Sequence, residues 1–214
     1  MATVKVWDVV EQERMRLVEE LRLLPAESFA VGSLCEGWDV HDVLAHLIDT
    51  AKTSRLRFIV AMARARGGFD RANAAGIARE RRADPQATVA ELARVVSLTR
   101  TPPAPLATRL VEAFVHGEDI RRPLGLTGEY PPAAVVAGLD YQCRTSASMG
   151  GSKALVDGVR LEATDADFVR GHGLTLSGAA MDILLAVTGR PVATAALCGP
   201  GAERVRERVA KASG

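Results

Sequence analysis

Apolar side chains recur at intervals of three and four positions through residues 7–148, with polar side chains between them. This spacing predicts amphipathic helices. In the first helix, Met15 falls among the apolar positions, and Arg14 among the polar positions that separate them. Prolines and paired glycines divide the segments, because both residue types tend to end helices. We predict five helices, over about 7–24, 40–66, 86–98, 106–122 and 133–148, and a polar, helix-prone segment over 70–83.

The periodicity changes after residue 152. Polar and apolar residues alternate over 158–164, which is typical of a half-buried strand. The later segments are predicted strands from Phe168 and Leu174, a short helix over 179–187, a candidate strand over 192–197 and a charged helix over 201–211. We therefore predict an α+β fold with two domains: an antiparallel helical bundle over 1–150 and a small α+β domain over 151–214.

The composition is that of a globular protein with a sizeable core: of 214 residues, 48% are hydrophobic, 25% charged and 4% aromatic. The net charge of +1 and the lack of a basic stripe with interleaved aromatic residues argue against nucleic-acid binding. No apolar run of about 18 residues occurs, so we expect no membrane span and a cytoplasmic protein. Cys35, Cys143 and Cys198 are odd in number and far apart, which indicates reduced thiols.

The stretch LCEGWDVHDVLAHL, residues 34–47, contains the first candidate chemistry. Asp39 is a predicted N-cap, and Asp42 and His46 lie four positions apart, so they share one face of the helix that follows. An aspartate one turn before a histidine can fix the imidazole in one tautomer and leave its other nitrogen for a metal. A lone helical histidine is more often a surface or core residue. We expect His41 to be exposed and Trp38 to anchor the core.

A second candidate pair lies on the fourth predicted helix, where Glu112 and His116 are also four positions apart. An antiparallel bundle brings side chains of separate helices together at its core. Two imidazoles and one carboxylate would leave a coordination position open for water, a thiol or a substrate. Asp42 and Asp119 are then candidates to orient His46 and His116. The alternative for Glu112 and His116 is a simple surface contact.

Together these motifs resemble the mycothiol-dependent maleylpyruvate isomerase family, which belongs to a wider DinB-like group of metal-binding four-helix bundles. The first motif is followed some 65 residues later by E-x-x-x-HGEDIRRPLG, and the resemblance covers about residues 1–150. The tail GVRLEATDADFVRGHGLTLSGAAMDILLAVTGRP is similar to the small C-terminal domain of the family. The resemblance implies a DinB-like four-helix bundle with a divalent metal, usually zinc, on His46, Glu112 and His116.

The resemblance also implies a chemistry. A metal with an open position binds a thiol, lowers its pKa and holds it as the nucleophilic thiolate. In the isomerase the thiol is the low-molecular-weight cofactor mycothiol, which adds to a conjugated double bond, allows rotation and leaves. Related members are thiol S-transferases. We therefore expect a metal-dependent isomerase or S-transferase for a small electrophile. The alternative is a non-catalytic metal- and ligand-binding protein with a regulatory role.

Two further residues are candidates for the reaction itself. Arg121 and Arg122 follow the helix of Glu112 and His116 and can pair with a carboxylate substrate, and we take Arg122 as the candidate. The simpler alternative is that one of the two caps the helix C-terminus or pairs with Glu118. His172 lies between two glycines in the C-terminal domain and is either an acid or base over the metal or a plain loop residue. The expected partners are a small thiol and an electrophile, without nucleic acid or membrane, and the chain is expected to be a monomer or homodimer.

Overall fold

The computed structural model describes residues 4–192 and 194–213, and these form two compact units. Lys5–Glu129 is the helical unit. The described residues from Tyr130 onward, together with Val4, form the second unit, which contains a small sheet. The chain therefore has the α+β fold with a helical N-terminal part that the sequence predicts. In the described part of the chain, no helix is both long and apolar enough to cross a membrane.

A four-helix bundle is the centre of the helical unit, because α1 and α2 each pack on both α5 and α6. Two further helices, α3 and α4, lie between α2 and α5 in the chain, and α4 packs on α2. Buried aliphatic side chains such as Leu21, Leu44 and Leu92 form one continuous core between α1, α2 and α5. The helices of this unit are α1 Val6–Arg22, α2 Val40–Lys52, α3 Arg55–Arg64, α4 Phe69–Glu80, α5 Pro85–Val95 and α6 Ala107–Arg121.

The buried face of α1 differs from the predicted one. Arg14 is 3% exposed, whereas Met15 is 45% exposed. Glu13 is also buried. The inner side of the helix therefore carries the charged side chains of Glu13 and Arg14, and Met15 lies on the outer side. The apolar pattern could not indicate this, because ionised side chains are rarely buried unless they have partners inside the protein.

The predicted helix over 40–66 is two helices, because the chain breaks at Thr53 and Ser54. The Thr53 hydroxyl donates to the carbonyl oxygen of Asp49 at 2.8 Å, and the Ser54 hydroxyl accepts from the backbone N–H of Arg57 at 3.3 Å. Ser54 is therefore the N-cap of α3. The prediction of one helix was wrong here, since apolar spacing continues across a break that side-chain capping produces.

The second unit combines three helices with a four-stranded sheet in the order β2-β1-β3-β4. β1 pairs in parallel with β3 and antiparallel with β2, and β4 adds antiparallel to β3. Leu161 and Leu176 are paired neighbours in the central strands, and both are buried. The elements are α7 Pro132–Arg144, β1 Val159–Ala163, β2 Val169–Gly171, β3 Leu174–Gly178, α8 Ala180–Val187, β4 Leu197–Cys198 and α9 Pro200–Ser213.

Two boundaries in this unit differ from the predictions. The sequence divides the chain at residue 150, whereas the units divide between Glu129 and Tyr130, and α7 packs on α8 within the second unit. The predicted strand over 192–197 includes residue 193, which lies outside the described residues. Strand pairing near it begins at Leu197.

Candidate functional site

The imidazole rings of His46 and His116 face each other across the bundle. Their centroids are 4.8 Å apart with an interplanar angle of 78°. His46 projects from α2 and His116 from α6, two helices that pack together in the bundle. His46 is buried, and the side chain of His116 is 14% exposed. The structure thus brings together the two histidines that the sequence places on separate helices.

Asp119 holds the ring of His116. Nδ1 of His116 lies 2.9 Å from Oδ2 of Asp119, and the Asp119 side chain is fully buried. An ionised carboxylate only accepts hydrogen bonds, so Nδ1 donates, and a neutral His116 carries its lone pair on Nε2. This is the arrangement in which a carboxylate orients a metal-binding imidazole. The same aspartate is tied to the loop before α2, since the Leu34 N–H donates to its backbone carbonyl at 3.2 Å.

Trp38 covers both histidines. Its ring centroid is 5.0 Å from that of His46 and 6.4 Å from that of His116, at interplanar angles of 54° and 26°. Trp38 also packs against the bundle core, as the sequence predicts for an anchor. Its contact with the histidines was not predicted. The only signal for it in the sequence is its place in the loop directly before the N-cap of the histidine-bearing helix.

Glu112 points toward the other end of the same helical interface. Its Oε1 accepts from the Thr50 hydroxyl at 2.8 Å, and its Oε2 lies 2.7 Å from Nη1 of Arg109. Thr50 is four positions after His46 on α2, and Glu112 is four before His116 on α6. The Thr50–Glu112 contact therefore lies one helical turn from the contact between the two histidines. Among the described residues, no group of three or more His, Cys, Asp or Glu side chains is placed to hold a metal ion.

The predicted donors, two imidazole nitrogens and one carboxylate, are nevertheless of the types that bind a divalent metal. Two imidazoles already face each other, and one has its tautomer set by Asp119. The third predicted donor, Glu112, is one helical turn away and engaged by Thr50 and Arg109. The residues therefore fit a metal on the condition that Glu112 exchanges these partners for the ion.

Asp42 lies in the first turn of α2, where its carboxylate binds Asp39 and Arg81. Its Oδ2 accepts from the backbone N–H of Asp39, and Asp39 accepts from the Asp42 N–H at 2.7 Å, which is a reciprocal capping box. Its Oδ1 accepts from Arg81 at 2.6 Å. The role of Asp42 beside His46 stays a prediction.

His41 is buried, so the expectation that it is exposed was wrong. It is 3% exposed, and its Nε2 lies 2.7 Å from the Thr88 hydroxyl oxygen of α5. The ring also packs edge-on against Phe29, with centroids 6.0 Å apart. Burial, more than the nearby charge of Arg81, lowers the pKa of His41 below its usual value. His41 is thus a core histidine that joins α2 to α5.

The two residues predicted to take part in the reaction, Arg122 and His172, belong to different units. Nε of Arg122 donates to Glu118 at 2.7 Å, which is the simpler of the two predicted pairings. His172 is exposed between β2 and β3 in the second unit. The neighbouring Arg121 is 1% exposed and donates to Glu13 at 2.5 Å and to Glu20 at 2.7 Å, so it joins α6 to α1.

None of the three cysteines, all among the described residues, is in a disulfide, as the sequence indicates. Cys35 is half-buried and packs against the bundle core. Cys143 is buried, and burial raises the pKa of its thiol to about 12, so it stays protonated. Cys198 is exposed on β4.

Fold and site together define a four-helix bundle in which two histidines of neighbouring helices meet, followed in the chain by a small α+β unit. A family model described as "Mycothiol maleylpyruvate isomerase N-terminal domain" matches residues 10–121, more than half of the chain. The chain therefore belongs to the mycothiol maleylpyruvate isomerase family.

Solved structures agree with this assignment at the level of the fold. The crystal structure of a mycothiol-dependent maleylpyruvate isomerase is similar with a TM-score of 0.62 at 16% identity, covering 92% of each chain. A histidine-to-alanine mutant of a mycothiol-dependent maleylpyruvate isomerase gives a TM-score of 0.63 at 15% identity, again over 92% of each chain. No curated protein matches the chain.

Proposed function

We propose that this protein is a metal-dependent isomerase that uses a low-molecular-weight thiol, mycothiol or a close analogue, on a small unsaturated acid of the maleylpyruvate type. The observation that carries the proposal is the histidine pair: two imidazoles 4.8 Å apart, with the Nδ1 of His116 held by a buried carboxylate. A buried carboxylate behind a histidine is a frequent partner of metal ligands. The family membership and the fold of the similar isomerases support the same activity.

The proposed metal is zinc, with His46, Glu112 and His116 as its protein ligands. When bound, zinc lowers the pKa of a coordinated thiol and so supplies the thiolate nucleophile at neutral pH. His46 and His116 supply neutral imidazole nitrogens, and Asp119 keeps the Nε2 of His116 available. Glu112 adds one negative charge after it leaves Arg109 and Thr50. Three protein ligands leave a position for the thiol.

The other residues of the site shape the space where the reaction takes place. Trp38 covers the histidine pair with an apolar ring, which excludes water from one side. Water exclusion strengthens the electrostatic interactions of the site and protects a reactive thiolate. The reaction itself consumes neither thiol nor acid, since the thiol adds to the double bond, the resulting single bond rotates and the thiol leaves.

The experiment compares four preparations with mycothiol and maleylpyruvate: zinc-loaded wild type, chelator-treated wild type, zinc-treated His116→Ala and zinc-treated His172→Ala. We expect turnover by the first that needs both zinc and thiol, and loss of at least about 100-fold without the metal or without His116. The His172 variant tests separately whether His172, which belongs to the second unit, acts as an acid or base in the reaction.

Other results would change the proposal. Transfer of the thiol to an electrophile such as a bimane, without isomerisation, would identify an S-transferase. Saturable thiol binding without turnover on either type of substrate would identify the non-catalytic binding protein.

A further inference from the structure

Two arginines are buried in the bundle, on the helices α1 and α6 that pack together. Arg14 on α1 is 3% exposed, and Arg109 on α6 is 6% exposed. The charge of Arg109 lowers the pKa of Arg14. A guanidinium group is rarely buried without partners that compensate for its lost hydration.

The partners that the bundle supplies are incomplete. Nη1 of Arg14 donates to the carbonyl oxygens of Val96 at 3.3 Å and Leu98 at 2.9 Å. Nη1 of Arg109 is paired with Oε2 of Glu112 at 2.7 Å. Nη2 of Arg14 and Nε of Arg109, however, are buried without a hydrogen-bond acceptor among the residues that the structure describes. A buried donor without an acceptor is unfavourable, because it has lost its hydrogen bonds to water, so two of them point to a missing acceptor group.

The charges point to the nature of that group. Burial is the largest influence on the pKa of Arg14 and lowers it, and the Glu112 carboxylate is the largest influence that raises it. Glu11 on the same helix adds a smaller attraction. Glu112 thus forms an ion pair with Arg109 and acts on Arg14 through its charge. Planar carboxylates match the donor geometry of guanidinium, so a second carboxylate suits the unused donors.

We propose that Arg14 and Arg109 form a carboxylate-binding subsite that receives the acid group of the substrate, an inference that rests on the proposed function. Arg109, Glu112 and His116 follow one another along α6, and the seven positions from Arg109 to His116 span about 10 Å of helix axis. The substrate is therefore an extended acid whose carboxylate lies at the arginines and whose reactive carbons lie toward the histidines.

Glu112 controls entry to this subsite. It occupies Arg109 in this structure, and the arginine nitrogens are shielded from solvent. A ligand carboxylate replaces it when the Glu112 side chain turns toward the histidines, so one negative charge leaves the arginines as another arrives. The protein's own carboxylate and the ligand's carboxylate therefore compete for the same donors.

Succinate, an unreactive four-carbon diacid, tests the subsite by calorimetric titration of the metal-free full-length protein. Succinamide, which has the same length without charge, is the ligand control. We expect saturable succinate binding by the wild type and weakening of at least about tenfold in Arg14→Met and in Arg109→Met. Arg94→Met, which changes a 76% exposed arginine of α5, should bind succinate as the wild type does.

The Glu112→Gln variant gives the sharpest contrast, because it keeps both arginines and removes the competing carboxylate. It should bind succinate several-fold more tightly than the wild type, an effect that a purely structural role of the arginines does not produce. Equal succinate affinity in the wild type, Arg109→Met and Glu112→Gln would overturn the subsite. The assay needs no turnover, so its outcome is independent of whether the protein proves to be an isomerase.

Discussion

Nδ1 of His116 lies 2.9 Å from Oδ2 of Asp119, three positions later on the same helix, and that carboxylate is fully buried. The pair fixes which nitrogen of His116 is available and turns it toward the bundle interior, where His46 faces it. The proposed chemistry depends on this relationship, because a freely rotating or wrongly protonated imidazole is a poor metal ligand.

Asp119→Asn should lower the zinc affinity of the protein about 10–100-fold. An asparagine can present its amide group to Nδ1 and so favour the tautomer that protonates Nε2, which removes the lone pair from the metal side. The measurement is a zinc competition titration with a coloured chelator. Glu118→Gln is the matched control, since it neutralises a carboxylate one position earlier that pairs with Arg122. Equal affinities in the two variants would contradict the role of Asp119.

Trp38 should report on the histidine pair by fluorescence. Its ring is 5.0 Å from His46, so zinc binding there changes the environment of the indole. The chain has two tryptophans, Trp7 and Trp38. We expect zinc to change the emission of the wild type and of Trp7→Phe, and to leave the emission of Trp38→Phe unchanged. A response that persists in Trp38→Phe and vanishes in Trp7→Phe would place the metal elsewhere.

His41 should make the protein less stable in mild acid. Its pKa is lowered in the folded state by burial, so the unfolded chain binds the proton more tightly. The contribution of the neutral buried ring is therefore complete above the unfolded pKa of about 6.5 and is lost as pH falls below it, by at most about 1.4 kcal/mol per pH unit.

Urea unfolding of the metal-free protein at pH 7.5 and pH 5.5 measures this effect. The loss of stability between the two pH values should be smaller in His41→Gln, which can keep a polar contact with Thr88 without titrating. An identical loss in the variant and the wild type would show that other groups cause the acid sensitivity.

Arg121 should contribute far more to stability than its neighbour Arg122. Arg121 is buried between Glu13 and Glu20 of α1, and its removal leaves the buried Glu13 carboxylate without its partner. Breaking a buried ion pair costs about 3–5 kcal/mol, whereas a pair four positions apart with one partly exposed partner, such as Arg122–Glu118, contributes about 0.3–0.5 kcal/mol. Urea unfolding of Arg121→Ala and Arg122→Ala tests the difference, which similar losses in both variants would refute.

The parts of this protein that follow from apolar periodicity could be predicted. The spacing along 40–47 and 106–122 assigns two helices, and their packing in one bundle is enough to bring His46 and His116 together. Spacing of four positions also places Glu112 on the same side of α6 as His116. The spacing does not predict which groups the Glu112 carboxylate contacts, because its partners Thr50 and Arg109 are not part of either sequence motif.

Polar groups inside the core could not be predicted in the same way. Arg14 is buried with partial compensation from the carbonyl oxygens of Val96 and Leu98 and from the charge of Glu112, and these partners come from distant parts of the chain. His41 is buried because Thr88 of another helix accepts or donates at its ring nitrogen. Each case depends on tertiary contacts, which hydrophobic periodicity does not describe.

X-ray absorption at the zinc edge of the zinc-loaded protein tests the central claim most directly. The account predicts two imidazole nitrogens at about 2.0–2.1 Å, further oxygen ligands and no sulfur at about 2.3 Å before a thiol is added. His46→Ala should reduce the imidazole count to one, and added mycothiol should introduce one sulfur. A spectrum of the thiol-free wild type with sulfur already bound, or without a pair of imidazoles, would contradict the proposed site.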